Sequence, residues 1–313
     1  MRILSSSEVQ AALPFGALVE ALRQMFRSGC ELPTRHHHTV TVPGGSDGTL
    51  LLMPAWQTGR NLGIKVVTIF PDNGARSLPS VLGSYMLLDG TTGQPLAMLD
   101  GPMLTLRRTA AASALAAGYL ARPDSRRLLM VGTGALAPHL VEAHASVRPI
   151  QEVVIWGRNP EKALALAGRL DRPDLRVTAA TDLAQAARDA DIVSCATLAR
   201  EPLIQGDWLR AGTHLDLVGG FTPQMREADD AAVRRSRVFV DTRAGALKEA
   251  GDILRPMEAG ILRAEDLGGD LFDLARDARP GRRSPEEITF FKSVGTALED
   301  LAAAQLALEH GGT

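Results

Sequence analysis

Cysteine is scarce: the 313 residues hold two, Cys30 and Cys195, far apart and in no C-x-x-C spacing. That excludes a disulfide-stapled scaffold and leads us to expect a reduced, cytoplasmic setting. An excess of one charge is missing too, with 34 Lys and Arg against 36 Asp and Glu and a formal net charge of −2. No basic field exists to draw nucleic acid or anionic lipid. No apolar run reaches membrane-spanning length; Ala110 to Ala121 is alanine-rich but short. Met1 to Glu8 lacks a long apolar core, so no signal peptide is expected. Internal repeats, low-complexity tracts and the G-x-S-x-G, H-E-x-x-H and Walker patterns are all absent. What remains is a globular composition, 45% hydrophobic and 22% charged, long enough for two domains.

The most informative stretch is an apolar run, Arg127 to Val131, that ends in Gly132-Thr-Gly134-Ala135-Leu136-Ala137. This is the G-x-G-x-x-A order of a dinucleotide-binding turn, followed by a helical pattern. Gly132 permits the tight turn, Gly134 lets a pyrophosphate approach the backbone, and Ala137 lets the helix pack on the strand. The N–H groups around Ala135 and Leu136, with the helix dipole, would face the phosphates. A second apolar run, Glu152 to Trp156, ends in Gly157-Arg158-Asn159, about 21 residues beyond Ala137. An NAD site usually carries a carboxylate there; an arginine fork suits a 2′-phosphate instead. Arg158 and Asn159 therefore point to NADPH, with NADH the weaker partner.

The rest of the chain fits around that turn. Ser5 and Glu8 form a capping-box pattern, and Pro14 opens a helix that Gly29 ends. From Arg35 to Asp100, strand-like runs near 38–42, 49–53, 62–70, 81–89 and 95–99 are separated by turns, which predicts an antiparallel meander. Thr105 to Ala121 reads as a helix. Strands near 127–131, 152–156, 175–178, 191–195, 213–218 and 237–241 alternate with helices, as in a doubly wound parallel sheet. Ser284-Pro-Glu-Glu287 reads as the start of a last helix running from Pro285 to Glu309. Asp270 to Arg283 reads as a mobile connection. The fold class expected is α/β: a Rossmann-type doubly wound parallel sheet at 123–283 plus an α+β domain made of 1–122 and 284–313.

Basic residues recur at suggestive places: Arg35, Lys65 inside an apolar strand, and Arg107-Arg108-Thr109 at the head of the alanine-rich helix. Singly, each fits a solvent-facing position. Converging on one cleft, they would hold a carboxylate. His36-His37-His38 does not suit one metal ion, because neighbours on a strand point to opposite faces, and no metal is expected. Cys195 reads as a structural thiol, Glu249 as a cleft or helix-surface residue, and Asp229-Asp230 as an exposed face.

Pro33-Thr-Arg35, Leu51-Leu-Met-Pro-Ala55, Leu62-Gly-Ile-Lys65, Phe70-Pro-Asp-Asn73, Leu106-Arg-Arg108-Thr109, Val131-Gly-Thr-Gly134, Ala190-Asp-Ile-Val193 and Phe290-Phe-Lys-Ser-Val-Gly295 together resemble the ornithine cyclodeaminase/mu-crystallin family. The resemblance spans nearly the whole chain. It implies a homodimer built through the α+β domain, which also binds substrate, and a cleft between that domain and the nucleotide domain. It implies that Arg35, Lys65 and Arg108 bind the substrate carboxylate or polarise its reacting centre, with Lys65 catalytic and Thr109 at the same cleft. Gly134, Ala135, Arg158 and Asn159 match cofactor contacts; Thr197 and Val218 match positions beside ribose and nicotinamide; Ser293 matches one near the nicotinamide amide.

One departure stands out. Cyclodeaminases of the family carry Asp just after the glycines that follow the fifth strand; here Val218-Gly-Gly220 is followed by Phe221. A phenyl ring can neither take a proton nor pair with an amine, whereas reduction of a ring already closed needs less. The Gly-Phe-Thr-Pro version resembles the branch that reduces cyclic ketimines, Δ1-pyrroline-2-carboxylate to proline and Δ1-piperideine-2-carboxylate to pipecolate. Two rival readings are an ornithine cyclodeaminase with recycled NAD, in which Asp216 replaces the missing acid, and a mu-crystallin-like protein that binds NADPH and a small ligand.

Overall fold

The computed structural model describes residues 1–311. The chain divides into two compact units, Met1–Arg108 with Ala297–Thr313, and Thr109–Thr296.

The first unit opens with β1 (Arg2–Leu4), α1 (Ser6–Ala12) and α2 (Phe15–Ser28). The Ser5–Glu8 capping box starts α1, and Gly29, at φ 78°, ends α2. Buried Arg107 links the joint between these helices to the body of the unit. It donates from Nε and Nη2 to the carbonyl of Leu13 and lies over the Phe15 ring. The meander follows as β2 (His36–Val40), β3 (Gly48–Trp56), β4 (Asn61–Ile69), β5 (Val81–Asp89) and β6 (Pro95–Asp100). The six-stranded order is β1-β6-β5-β4-β3-β2, with β1 parallel to β6 and the other pairs antiparallel. β1 is too short to register as a strand in the sequence.

Alternation along these strands makes two faces. Met53, Lys65, Tyr85, Leu99 and Leu4 are cross-strand neighbours and all buried. Pro54, Ile64, Met86, Met98 and Ile3 form the adjacent row, an apolar line across five strands that is half-buried and, at Ile3, 73% exposed.

α3 (Gly101–Leu120) starts in the first unit and ends in the second. The second unit then alternates β7 (Arg127–Val131), α4 (Leu136–Val147), β8 (Glu152–Trp156), α5 (Pro160–Leu170), β9 (Arg176–Ala179), α6 (Leu183–Asp189) and β10 (Ile192–Cys195). It continues through β11 (His214–Leu217), α7 (Asp230–Arg235), β12 (Arg237–Val240), α8 (Arg243–Glu249), α9 (Gly251–Glu258), β13 (Gly269–Asp270), α10 (Leu271–Ala275) and β14 (Thr289–Lys292). All pairs in its eight-stranded sheet are parallel, in the order β13-β12-β14-β11-β10-β7-β8-β9. This is the Rossmann-type doubly wound sheet expected from the alternation. No described helix is long and apolar enough to cross a membrane.

Three expectations are corrected. Ser284-Pro-Glu-Glu287 does not open a helix. Its Glu287 carboxylate turns back to the backbone and guanidinium of Arg283, and buried β14 follows, paired between β11 and β12. The closing helix, α11, is Ala297–His310. Residues 284–296 and 109–122 accordingly fall in the second unit, so the division comes at 108/109 and 296/297 rather than at 122/123 and 283/284. Asp270 to Arg283 is not a loose connection either: Asp270 caps α10, Arg243 pairs with Asp270 and Asp273, and Arg237 donates to the Gly281 carbonyl.

Candidate functional site

Two clusters of functional residues emerge, one in each unit. In the first, Lys65 points from β4 into the interior, 3% exposed, on the same sheet face as Tyr85. Its Nζ lies 2.7 Å from Asp300 Oδ2. The other Asp300 oxygen accepts from Arg108 Nε at 2.9 Å, and Arg108 Nη1 donates to Glu299 at 2.6 Å. One carboxylate from α11 thus joins Lys65 and Arg108, and both acids are fully buried. Asp300 contacts these two cations and not Arg35, which is half-buried just ahead of β2. Lys65 and Arg108 are thus matched by Asp300 and Glu299. Without them, two cations would be buried unpaired, at a cost of several kcal/mol each.

Burial lowers Lys65 to about 8, with Asp300 pulling the other way. Burial works to raise the Asp300 carboxyl, yet Lys65 and Arg108 together hold it below the usual carboxylate range. The result is an oriented ammonium that can give up its proton near neutrality. Tyr85, unremarked in the sequence, adds a buried hydroxyl with no hydrogen-bond partner.

In the second unit, Gly132 ends β7 at φ 121°, donates to the Trp156 carbonyl, and would place a Cβ 2.6 Å from the Ala196 carbonyl oxygen. Only glycine fits that turn. Gly134 and Ala135 are exposed, and a Cβ on Gly134 would meet nothing within 4 Å. Open space therefore stands before the N-terminus of α4, where half-buried Leu136 begins the helix. Arg158 is exposed just beyond β8 and forms no hydrogen bond or ion pair among the described residues. Asn159 also caps α5, accepting from the Lys162 N–H, which fixes its side chain beside Arg158.

Val218, buried, follows β11 and donates to the Cys195 carbonyl. Ser293 follows β14, its Oγ buried and without a partner. Buried hydroxyls are normally satisfied, so this one suits a polar group brought by a ligand. The Thr197 hydroxyl donates to Glu227 and accepts from the Ala199 N–H, and its own N–H donates to the same carboxylate, so a contact beside a ribose would fall to its carbonyl. Thr109 is half-buried on α3, directly after Arg108.

Phe221 is 46% exposed after the glycine turn. Asp216 does not stand in for the missing acid. It is fully buried, accepting from Ser113 and Ser194 and bonded to His144. His36 to His38 are exposed on edge strand β2, with the His36 and His38 rings 6.2 Å apart on one face. No metal-ligating group of three or more His, Cys, Asp or Glu occurs among the described residues. Cys195 is buried, and burial pushes its thiol well up.

A model of the ornithine cyclodeaminase/mu-crystallin family matches residues 2–311. The chain belongs to this family. A Delta(1)-pyrroline-2-carboxylate reductase of Paracoccus denitrificans is 43% identical over 97% of this chain and 95% of its own. The solved Thermococcus litoralis Delta(1)-pyrroline-2-carboxylate reductase, in complex with NADH and L-proline, superposes with a TM-score of 0.91 at 34% identity, covering 99% of this chain and 97% of that one. An archaeal alanine dehydrogenase dimer with bound NAD gives 0.89 at 28% identity, covering 99% and 95%.

Proposed function

We propose that this protein is an NADPH-dependent reductase of small cyclic imino acids, forming proline from Δ1-pyrroline-2-carboxylate and pipecolate from Δ1-piperideine-2-carboxylate. The observation that carries the reading is Asp300 holding Lys65 and Arg108 together. Arg35 and Arg108 bind the substrate carboxylate, the Arg108 plane being set by Asp300 and Glu299. Lys65 stands at the imine nitrogen and delivers its proton as the C=N bond is reduced. When bound, the reduced cofactor supplies a hydride to the C=N carbon and its ring becomes cationic. Gly132, Gly134, Ala135 and Leu136 hold the pyrophosphate, Arg158 and Asn159 the 2′-phosphate, and Val218 and Ser293 the nicotinamide. Thr197 contributes backbone, and Thr109 fixes the ring face. Catalysis is chiefly positioning and electrostatics.

Phe221 and the inward commitment of Asp216 weigh against cyclodeamination. The test is NADPH consumption with Δ1-pyrroline-2-carboxylate beside an ammonia assay with ornithine. Steady consumption supports the reductase. Ammonia release from ornithine without net cofactor use overturns it, as does tight NADPH binding with no turnover. Arg158→Ala should weaken NADPH by about 10-fold or more, the scale of a charge-assisted phosphate contact, and leave NADH nearly unchanged. Equal losses in a titration with both would remove Arg158 from the site.

We further propose a cytoplasmic homodimer formed through the apolar row on the outer sheet face. Met86 lies at its middle, between Ile64 and Met98. A surface of this kind is normally covered. Met86→Asp is expected to turn a dimer into a monomer in light scattering. A wild-type monomer would remove the assignment.

A further inference from the structure

Behind the glycine turn lies a buried charge cluster that hydride transfer as described does not use. Lys292, at the end of β14, is fully buried; its Nζ makes no hydrogen bond and lies 3.5 Å from Asp252 Oδ2. Asp252, on α9, accepts at Oδ1 from the N–H groups of Glu227 (2.8 Å) and Ala228 (3.1 Å). Glu227 in turn accepts from the Thr197 N–H and Oγ1 at Oε1, 2.7 and 2.8 Å, and from the Gly219 N–H at Oε2, 2.8 Å. Asp241, at the end of β12, accepts from the N–H groups of Thr242, Val294 and Gly295.

These contacts account for the diglycine. A Cβ on Gly219 would lie 2.0 Å from the Thr197 carbonyl oxygen and 2.5 Å from Glu227 Oε1; one on Gly220 would lie 2.6 Å from Asp252 Oδ2. The turn is glycine because the Thr197 backbone and the carboxylates of Glu227 and Asp252 press against it. Three carboxyl groups, of Glu227, Asp252 and Asp241, surround the ammonium of Lys292, and burial raises Glu227 and Asp241. Burial and the neighbouring Asp252 hold the Glu227 carboxyl above its usual range, although Lys292 and the Thr197 donors favour its charged form. The cluster sits at the carboxyl ends of β10, β11, β12 and β14, the edge at which parallel sheets bind ligands.

We propose that Glu227 and Asp252 are positioning residues of the cofactor turn, and that their buried negative charge favours the cationic, oxidised nicotinamide over the neutral, reduced one. This rests on the reading that the Val218–Gly220 turn faces that ring. In a low-dielectric interior, a fixed charge acts on a developing opposite charge far more strongly than it does in water. The reduction direction creates positive charge on the ring, so a negative support behind the turn lowers the barrier to hydride donation.

The test separates charge from shape. Asp252→Asn keeps an oxygen for the N–H groups of Glu227 and Ala228 and removes the charge, but turns its amide NH2 toward Lys292. Glu227→Gln also removes charge, but sets an amide against the Gly219 N–H. Dissociation constants for NADP+ and NADPH are measured separately on each variant by calorimetry, with 2′-phospho-ADP-ribose as a ligand that lacks the ring. NADP+ is expected to weaken at least about fivefold more than NADPH in both variants, with the ringless ligand unchanged. Equal weakening of NADP+ and NADPH, or an unchanged ratio, overturns the proposal and leaves a purely structural cluster. If Asp252→Asn does not fold, the ratio in Glu227→Gln decides. Failure of the underlying reading looks different: the wild type itself then reduces no cyclic imine.

Discussion

Lys65→Met is expected to lower imine turnover by about 10²- to 10⁴-fold, the usual contribution of a positioned general acid, with NADPH affinity nearly unchanged. Methionine keeps most of the side chain's length and removes its ammonium group. The wild-type pH profile supplies an independent check. Burial brings Lys65 to about 8, and the active form is the ammonium. Turnover should therefore hold below that pH and fall as pH rises through it; a low-pH optimum lost on deprotonation is the sign required of an acid. Near-normal turnover in Lys65→Met, measured by single-turnover NADPH oxidation, would falsify the assignment.

Removal of Asp300 should act on stability more than any other single change in the first unit. Asp300→Ala strips Lys65 and Arg108 of their shared carboxylate in a site that is 3% and 6% exposed at the two cations. Breaking a buried ion pair by deleting one partner typically costs about 3–5 kcal/mol, because the remaining charge is left uncompensated. We expect a clear fall in the urea midpoint by circular dichroism, or insoluble protein. A midpoint within experimental error of wild type would mean that water reaches the pair. Asp300→Asn should fall between, since the amide keeps one acceptor for Arg108 and loses the attraction for Lys65.

Much of this arrangement was legible in the sequence, for local reasons. The nucleotide turn, its strand and its helix were readable because glycine spacing, apolar run and helical pattern lie within a dozen residues. The meander was readable because its turns are marked by glycine and asparagine. β14 was not: Ser284-Pro-Glu-Glu287 carries a strong helix-start pattern, and the four-residue strand after it is too short to outweigh that pattern. Lys65 stands out as a cation in an apolar strand, and Arg35 and Arg108 as cations at the entry to the meander and the head of a helix, but the acids that pair with Lys65 and Arg108 do not. With a helix expected from Pro285, Glu299 and Asp300 fall in its interior and carry no mark of burial beyond the Ala, Leu and Gln that follow them in α11 until Glu309. Lys292, directly after Phe290-Phe291, is a second cation whose apolar neighbours mark it as buried. The commitment of Asp216 to Ser113, His144 and Ser194 is tertiary and has no local signature.

The pairing of Arg108 with Glu299 spans 191 residues. On the ribosome, Lys65 on the meander and Arg108 on α3 therefore emerge long before the acids that neutralise them. Domains made early in synthesis usually fold early. Here the first unit cannot close these charge pairs until α11 has left the exit tunnel.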